Sequence, residues 1–165
     1  MPEVWDTTTA ARLRPDSPVL SYATSRRKAG ERIAFTASTL SEISYGLHKA
    51  TIAGNAAADM QLQWLRAQIA AGLIAILAFD DRAAEIAGAL RAHMPTPPAT
   101  AKTPKRRSKA NSRVAWIMDL QSAATAFVHG YDLATADTHH PLIAAKLNTL
   151  APTAPPLLIQ APPRF

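Results

Sequence analysis

Four carboxylates, Asp6, Glu42, Asp119 and Asp137, stand at places that a parallel α/β sheet could bring together. Asp6 directly follows the apolar pair Val4-Trp5. Glu42 lies one turn into a helical pattern that follows Ile33–Thr36. Asp137 follows Leu133-Ala134, and Asp119 flanks the apolar stripe of the helix that feeds that segment, with Ala123 one turn on. Oxygen donors of this kind suit a hard divalent cation. Without a compensating cation, their mutual repulsion opposes the gathering. Taken singly, each acid has an ordinary use. Asp6 and Asp137 could serve turns, Glu42 could complete a capping box with Thr39, and Asp119 could be a surface residue. His139-His140 lies beside Asp137, but no third His or Cys stands at a useful spacing, so the pair reads as solvated loop.

The elements that must position these acids follow from patterning. Val4-Trp5 opens a short strand, and Ser17-Pro18 caps a helix that runs to about residue 27. Ile33–Thr36 reads as a strand, and Ser38 or Thr39 caps a helix to about residue 49. A long helix spans 55–71. The unbroken apolar run 73–77 suits a strand buried on both faces. Asp80 caps a helix that ends before Pro95. Residues 113–129 form a strong helix striped by Ile117, Leu120, Ala124, Phe127 and Val128, with Gly130 placed to end it. Leu133-Ala134 is a strand, 142–147 a short helix, and 157–159 a last strand. Strands alternating with helices predict a single α/β domain over 1–165, with helices on both faces of a mainly parallel sheet. Sites in such sheets form at the carboxyl ends of the strands, where Asp6 and Asp137 fall.

Composition narrows the partners. There is no Cys, which excludes a disulfide scaffold, a thiolate metal site and a Cys nucleophile. No Gly-rich phosphate loop or nucleophile elbow is present. The longest uncharged apolar stretch, 67–79, is too short to span a bilayer, and the N-terminus has no signal-peptide pattern. The expectation is a cytoplasmic protein that does not enter membranes. The net charge of +6 is local: seven of the eighteen basic residues lie between Glu85 and Asp119, where there is no acid. Six of them, Lys102, Lys105, Arg106, Arg107, Lys109 and Arg113, sit in or beside a Pro-rich insert over 95–112 and are candidate contacts to a polyanion or an acidic partner. A solvated loop without a partner is the alternative. Residues 152–165 form a Pro-rich C-terminal end.

Four blocks carry a resemblance. Val4-Trp5-Asp6-Thr7-Thr8 is similar to a hydrophobic-Asp-Thr-Ser/Asn opening. Ala37-Ser38-Thr39-Leu40-Ser41-Glu42-Ile43-Ser44-Tyr45-Gly46 is similar to Thr-Leu-Ala-Glu-Leu-x-Tyr-Gly. Asp119-Leu120-Gln121-Ser122-Ala123-Ala124-Thr125-Ala126 resembles Asp-Leu-x-Ile-Ala-Ala-Thr-Ala. His129-Gly130-Tyr131-Asp132-Leu133-Ala134-Thr135-Ala136-Asp137 resembles His-Gly-x-x-Leu-Val-Thr-x-Asp/Asn. Together they resemble the PIN-domain family, and within it the VapC-like ribonuclease toxins of type II toxin–antitoxin systems. The chain departs from the pattern at Thr8, at Ser122, where Ile is common, and after Thr138, where His139-His140-Pro141 stands.

The resemblance implies a PIN-like three-layer α/β/α fold and a Mg²⁺- or Mn²⁺-dependent endoribonuclease. Asp6, Glu42, Asp119 and Asp137 would be its catalytic and metal-binding residues. Thr7 and Thr135 would orient waters or carboxylates around them, unless each only bonds its own backbone turn. The resemblance also implies an RNA substrate, a homodimer and a small cognate antitoxin. That antitoxin would dock near Tyr45, Leu47, Leu62 and Leu65 and point an Arg at Asp6, Glu42 and Asp119. A catalytically silent PIN-like RNA-binding or assembly module is the alternative.

Overall fold

The computed structural model describes residues 2–98 and 109–163. Five short strands, β1 (Glu3–Trp5), β2 (Ile33–Thr36), β3 (Ile74–Leu77), β4 (Asp132–Ala134) and β5 (Ile159–Gln160), form one all-parallel sheet. Their order is β3-β2-β1-β4-β5. The chain therefore builds outward from β1 in one direction and then returns to add β4 on the other side. This reversal opens a crevice between the carboxyl ends of β1 and β4, the usual place for a site in a doubly wound sheet. The register sets Trp5 beside Ala134, so the residues that follow, Asp6 and Thr135, leave the sheet side by side.

The helices are α1 (Thr7–Ala10), α2 (Pro18–Lys28), α3 (Ala37–Ile52), α4 (Ala56–Ala70), α5 (Asp81–His93), α6 (Lys109–His129) and α7 (His140–Leu150). Alternation along each strand divides the core into two layers. Val4, Ala34 and Leu133 face Leu90, Trp116, Leu120, Ile143 and Leu147 of α5, α6 and α7. Trp5, Phe35 and Ala134 face the other way, with Leu13, Val19, Leu65 and Ile74. The result is the three-layer α/β/α arrangement. None of the helices among the described residues is long and apolar enough to cross a membrane.

Several boundaries differ from the sequence expectation, each for a local reason. The cap of α3 is Thr36, whose hydroxyl accepts from the Thr39 amide at 3.1 Å. Strand β2 thus passes into α3 without a loop. Glu42 lies six residues past the cap, out of reach of a capping box, and its carboxylate turns elsewhere. Helix α1 was not legible: four residues are too few for a periodic pattern, and its cap is Asp6 itself. Helix α6 begins at Lys109, inside the segment read as insert. It ends as expected at Gly130, whose φ of 70° suits glycine; there the Tyr131 amide turns back to the Ala126 carbonyl. Helix α7 begins at His140, two residues before the expected start.

Candidate functional site

Asp6 leaves the end of β1 and is nine-tenths buried. Its Oδ1 accepts the Thr9 amide at 2.7 Å, which caps α1, and its Oδ2 accepts the Thr135 hydroxyl at 2.6 Å. Thr135, at the end of β4, also accepts the Asp137 amide at 3.0 Å and lies 3.4 Å from Nδ1 of His140. One hydroxyl therefore joins the ends of β1 and β4 and the turn that follows. The next residue after Asp6, Thr7, donates its hydroxyl to Oε2 of Glu42. Each threonine hydroxyl thus bonds a carboxylate, and Thr135 also serves its own turn.

Two contacts pin the helices that bring in the remaining acids. The hydroxyls of Thr36 and Ser122 lie 3.1 Å apart, and Ser38 donates to Gln121 at 3.2 Å. The start of α3, with Glu42, is thereby locked to the middle of α6, with Asp119. Ser122 is the residue that replaces a common Ile in the resembled pattern, and here its hydroxyl has a buried partner.

His139 corrects the sequence reading. It is half-buried between two acids, with Nε2 3.2 Å from Asp119 Oδ2 and Nδ1 2.9 Å from Asp137 Oδ1. The hydrogen bond to Asp119 holds the imidazolium above its ordinary range. Burial opposes this, and the charges of Asp137 and Asp119 add to it. His140 is also no loop residue: only 2% of its surface is exposed. Burial pushes its imidazole below the ordinary range despite the acids nearby. The signal was present in the sequence, because His140, Ile143, Ala144 and Leu147 share one helical face and all are buried. Reading the helix from Leu142 concealed it.

The contacts form one continuous path. Glu42 binds Thr7, Thr7 adjoins Asp6, Asp6 binds Thr135, Thr135 binds the Asp137 amide, and His139 joins Asp137 to Asp119. The acid that sits loosest is Asp137, with 40% of its side chain exposed. Among the described residues, the donor atoms that lie within 4.8 Å of one another in a metal-holding group belong to Asp137, His139 and His140. No Lys or Arg among the described residues pairs with any of the four acids.

A cavity of about 250 Å³ opens beside this path between α1, α3 and α4. Thr7, Glu42, Arg14 and Gln61 are its polar lining, and Ile43, Leu47, Leu13 and Leu65 its apolar wall. Two of the four expected docking residues, Leu47 and Leu65, line it. Leu62 is instead buried at 2% exposure, whereas Tyr45 stands out at 68%. Of the candidate RNA contacts, Lys102, Lys105, Arg106 and Arg107 lie outside the described residues, Lys109 begins α6, and Arg113 is exposed on it.

The family model of the PIN domain matches residues 4–146. The chain belongs to the PIN-domain family. Both ends of the acid path lie within the matched span. The same PIN fold appears in VapBC2 from Rickettsia felis, solved with a promoter DNA fragment, at a TM-score of 0.59 and 16% identity over 98% of each chain. DNA-bound VapBC from Salmonella typhimurium is similar at 0.60 and 18%, again over 98% of each chain. A toxin–antitoxin complex from Klebsiella pneumoniae is similar at 0.50 and 17% over 99% of each. No curated protein is matched.

Proposed function

We propose that this PIN domain is a divalent-cation-dependent endoribonuclease and the toxin of a toxin–antitoxin pair. The observation that carries the reading is the path of contacts from Glu42 through Asp6 and Asp137 to Asp119 at the carboxyl ends of β1 and β4. The carboxylate oxygens of these four acids are of the chemical class that Mg²⁺ or Mn²⁺ takes. Each carboxylate oxygen used in a hydrogen bond keeps a second lone pair, and no fixed cation from Lys or Arg among the described residues competes for it. Asp6, Glu42, Asp119 and Asp137 would hold the ion. When bound, it would make water a nucleophile at neutral pH and stabilise charge on the phosphate.

The chain's own groups do the positioning. Thr135 fixes one oxygen of Asp6 and the Thr9 amide fixes the other, so the carboxylate plane is set before any ion arrives. Thr7 sets Glu42 in the same way from the residue next to Asp6. This rigidity matters because metal affinity and activity fall by about 10–100-fold when such orienting groups are removed. The basic residues Lys102, Lys105, Arg106, Arg107, Lys109 and Arg113 would track the phosphate backbone of the RNA.

The partner reading rests on the groove and on charge. An acid path without Lys or Arg partners among the described residues invites an Arg from another protein, whose planar fork pairs carboxylates bidentately. The groove leads to Glu42. On its rim Tyr45 and Met60, each next in sequence to a lining residue, expose 68% and 65% of their surfaces. Apolar residues of a small antitoxin would cover them. The similar proteins from Rickettsia felis and Salmonella typhimurium are themselves VapBC assemblies. The active toxin would be a homodimer in the cytoplasm. Substituting Asp119→Asn tests the catalytic reading: RNA cleavage should fall at least ~100-fold with the fold intact. Near-normal cleavage by folded Asp119→Asn protein, with no contaminating nuclease, overturns it.

A further inference from the structure

Nitrogen donors beside an oxygen-donor site change which cation is preferred. Carboxylates suit Mg²⁺ and Mn²⁺, whereas imidazole suits Zn²⁺ and its transition-metal neighbours. Asp137, His139 and His140 each offer one donor atom, and all three lie within 4.8 Å of one another. An ion bound at about 2.0–2.2 Å from such donors needs them about 3–4 Å apart. Nδ1 of His139 and Oδ1 of Asp137 are already at 2.9 Å.

The tautomer of His140 follows from its neighbour. The hydroxyl of Thr135 has one hydrogen, and it points at Asp6 Oδ2 at 2.6 Å. Toward His140 Nδ1, at 3.4 Å, Thr135 can therefore only accept. Nδ1 of a neutral His140 then carries the hydrogen, and Nε2 keeps the lone pair. His139 has a matching arrangement. Its Nε2 is held by Asp119 Oδ2 at 3.2 Å, and its Nδ1, against Asp137 Oδ1 at 2.9 Å, would release its proton to solvent when a cation comes between them. A ligating imidazole whose other nitrogen is bonded to an oxygen is the usual supporting pattern of metal-binding histidines. His139 has that support from Asp119, Thr135 Oγ1 stands 3.4 Å from Nδ1 of His140 where it can give the same, and His140 is fixed by burial at 2% exposure.

We propose that Asp137, His139 and His140 form a three-ligand site for a transition-metal cation of the Zn²⁺ class, with its remaining position open to water, beside the Asp6–Asp119 carboxylates. From the functional reading above it takes only Asp137 as a cation ligand, and it does not depend on RNA cleavage. In this site Asp119 and Thr135 are positioning residues, holding the imidazoles from behind.

The test is metal binding by the full-length, chelator-treated protein, with Co²⁺ as a spectroscopic probe and Zn²⁺ as its competitor. The expected result is one Co²⁺ per chain, with visible absorption that Zn²⁺ removes and millimolar Mg²⁺ does not. His139→Gln and His140→Gln should each weaken Zn²⁺ binding at least tenfold, and by a larger factor than they weaken Mg²⁺ binding. Circular dichroism checks the fold. If the buried His140→Gln variant does not fold, His139→Gln and the wild-type spectrum carry the test. Zn²⁺ binding no tighter than Mg²⁺ binding, or unchanged Zn²⁺ affinity in folded His139→Gln, overturns the proposal. Either result leaves the nuclease reading standing. Conversely, full cleavage by Asp119→Asn with the Co²⁺ spectrum intact would end the assignment of Asp119 as a catalytic ligand and leave this proposal standing.

Discussion

Strand β1 carries an acid at each end, and the two are treated in opposite ways. Glu3, at the amino end, is 3% exposed and surrounded by its own partners. Trp5 Nε1 donates to it at 3.2 Å, Arg26 approaches to 4.0 Å, and Tyr22 is hydrogen-bonded to it. Arg26 is held in turn by Glu31 at 2.6 Å. Asp6, three residues later, is also buried, but its partners are a hydroxyl and an amide, and among the described residues Glu42 is held by the Thr7 hydroxyl while Asp119 and Asp137 share His139. A carboxylate supplied with its own cation is finished structure. Carboxylates fixed by hydroxyls, an amide and one shared imidazole, with charge left over, are prepared for something that arrives from outside. Burial alone does not separate the two cases. The sign and source of the compensating charge does.

The comparison can be broken by making the same chemical change at each end. Asp6→Asn keeps the α1 cap, because Asn caps as well as Asp. Cleavage of RNA should fall at least ~100-fold, with stability in urea shifting by less than about 1 kcal/mol. Thr135→Val removes the hydroxyl shared by Asp6, the Asp137 amide and His140. Activity should drop by about 10–100-fold, and stability by about 1–3 kcal/mol as buried polar atoms lose their partner. Glu3→Gln should do the reverse of Asp6→Asn. It should cost about 1–3 kcal/mol in urea unfolding and leave the rate of cleavage unchanged. A Glu3→Gln protein that is stable but inactive would dissolve the distinction.

The smallest effect is a pH dependence at the amino end. Burial, followed by the hydrogen bond to Glu3 and its charge, pushes the Tyr22 hydroxyl up to about 12. The neutral form is thus favoured in the folded state. Its contribution to stability is fully present below pH 10 and is lost as pH rises from there toward 12. Chemical-denaturation midpoints of wild type and Tyr22→Phe should run parallel below pH 10 and converge or cross above it. Parallel curves throughout would mean that the Tyr22 hydroxyl is not raised in the folded state.

The central strands, the helices after them and the four acids could be read from the chain, because each depends on short-range signals: apolar runs, caps and the residue that follows a strand. What could not be read depended on pairs far apart in sequence. Thr36 and Ser122 are 86 residues apart, and Thr7 and Glu42 are 35 apart; neither bond leaves a local pattern. The capping box failed because β2 runs straight into α3, which moves the cap back to Thr36. His139 was misread because its partners come from α6 and the β4 turn. His140 was misread because its helix was started two residues late, past Pro141, although Pro is well suited to the first turn.

The account stands most directly on one measurement: the rate at which purified protein, free of its partner, cleaves single-stranded RNA before and after removal of divalent cations, with Asp6→Asn and Glu3→Gln measured alongside. The account predicts that chelation abolishes cleavage and that Mg²⁺ or Mn²⁺ restores it. It also predicts that Asp6→Asn is not restored and that Glu3→Gln behaves as wild type. Cleavage that survives chelation, or that survives in folded Asp6→Asn protein, would contradict it.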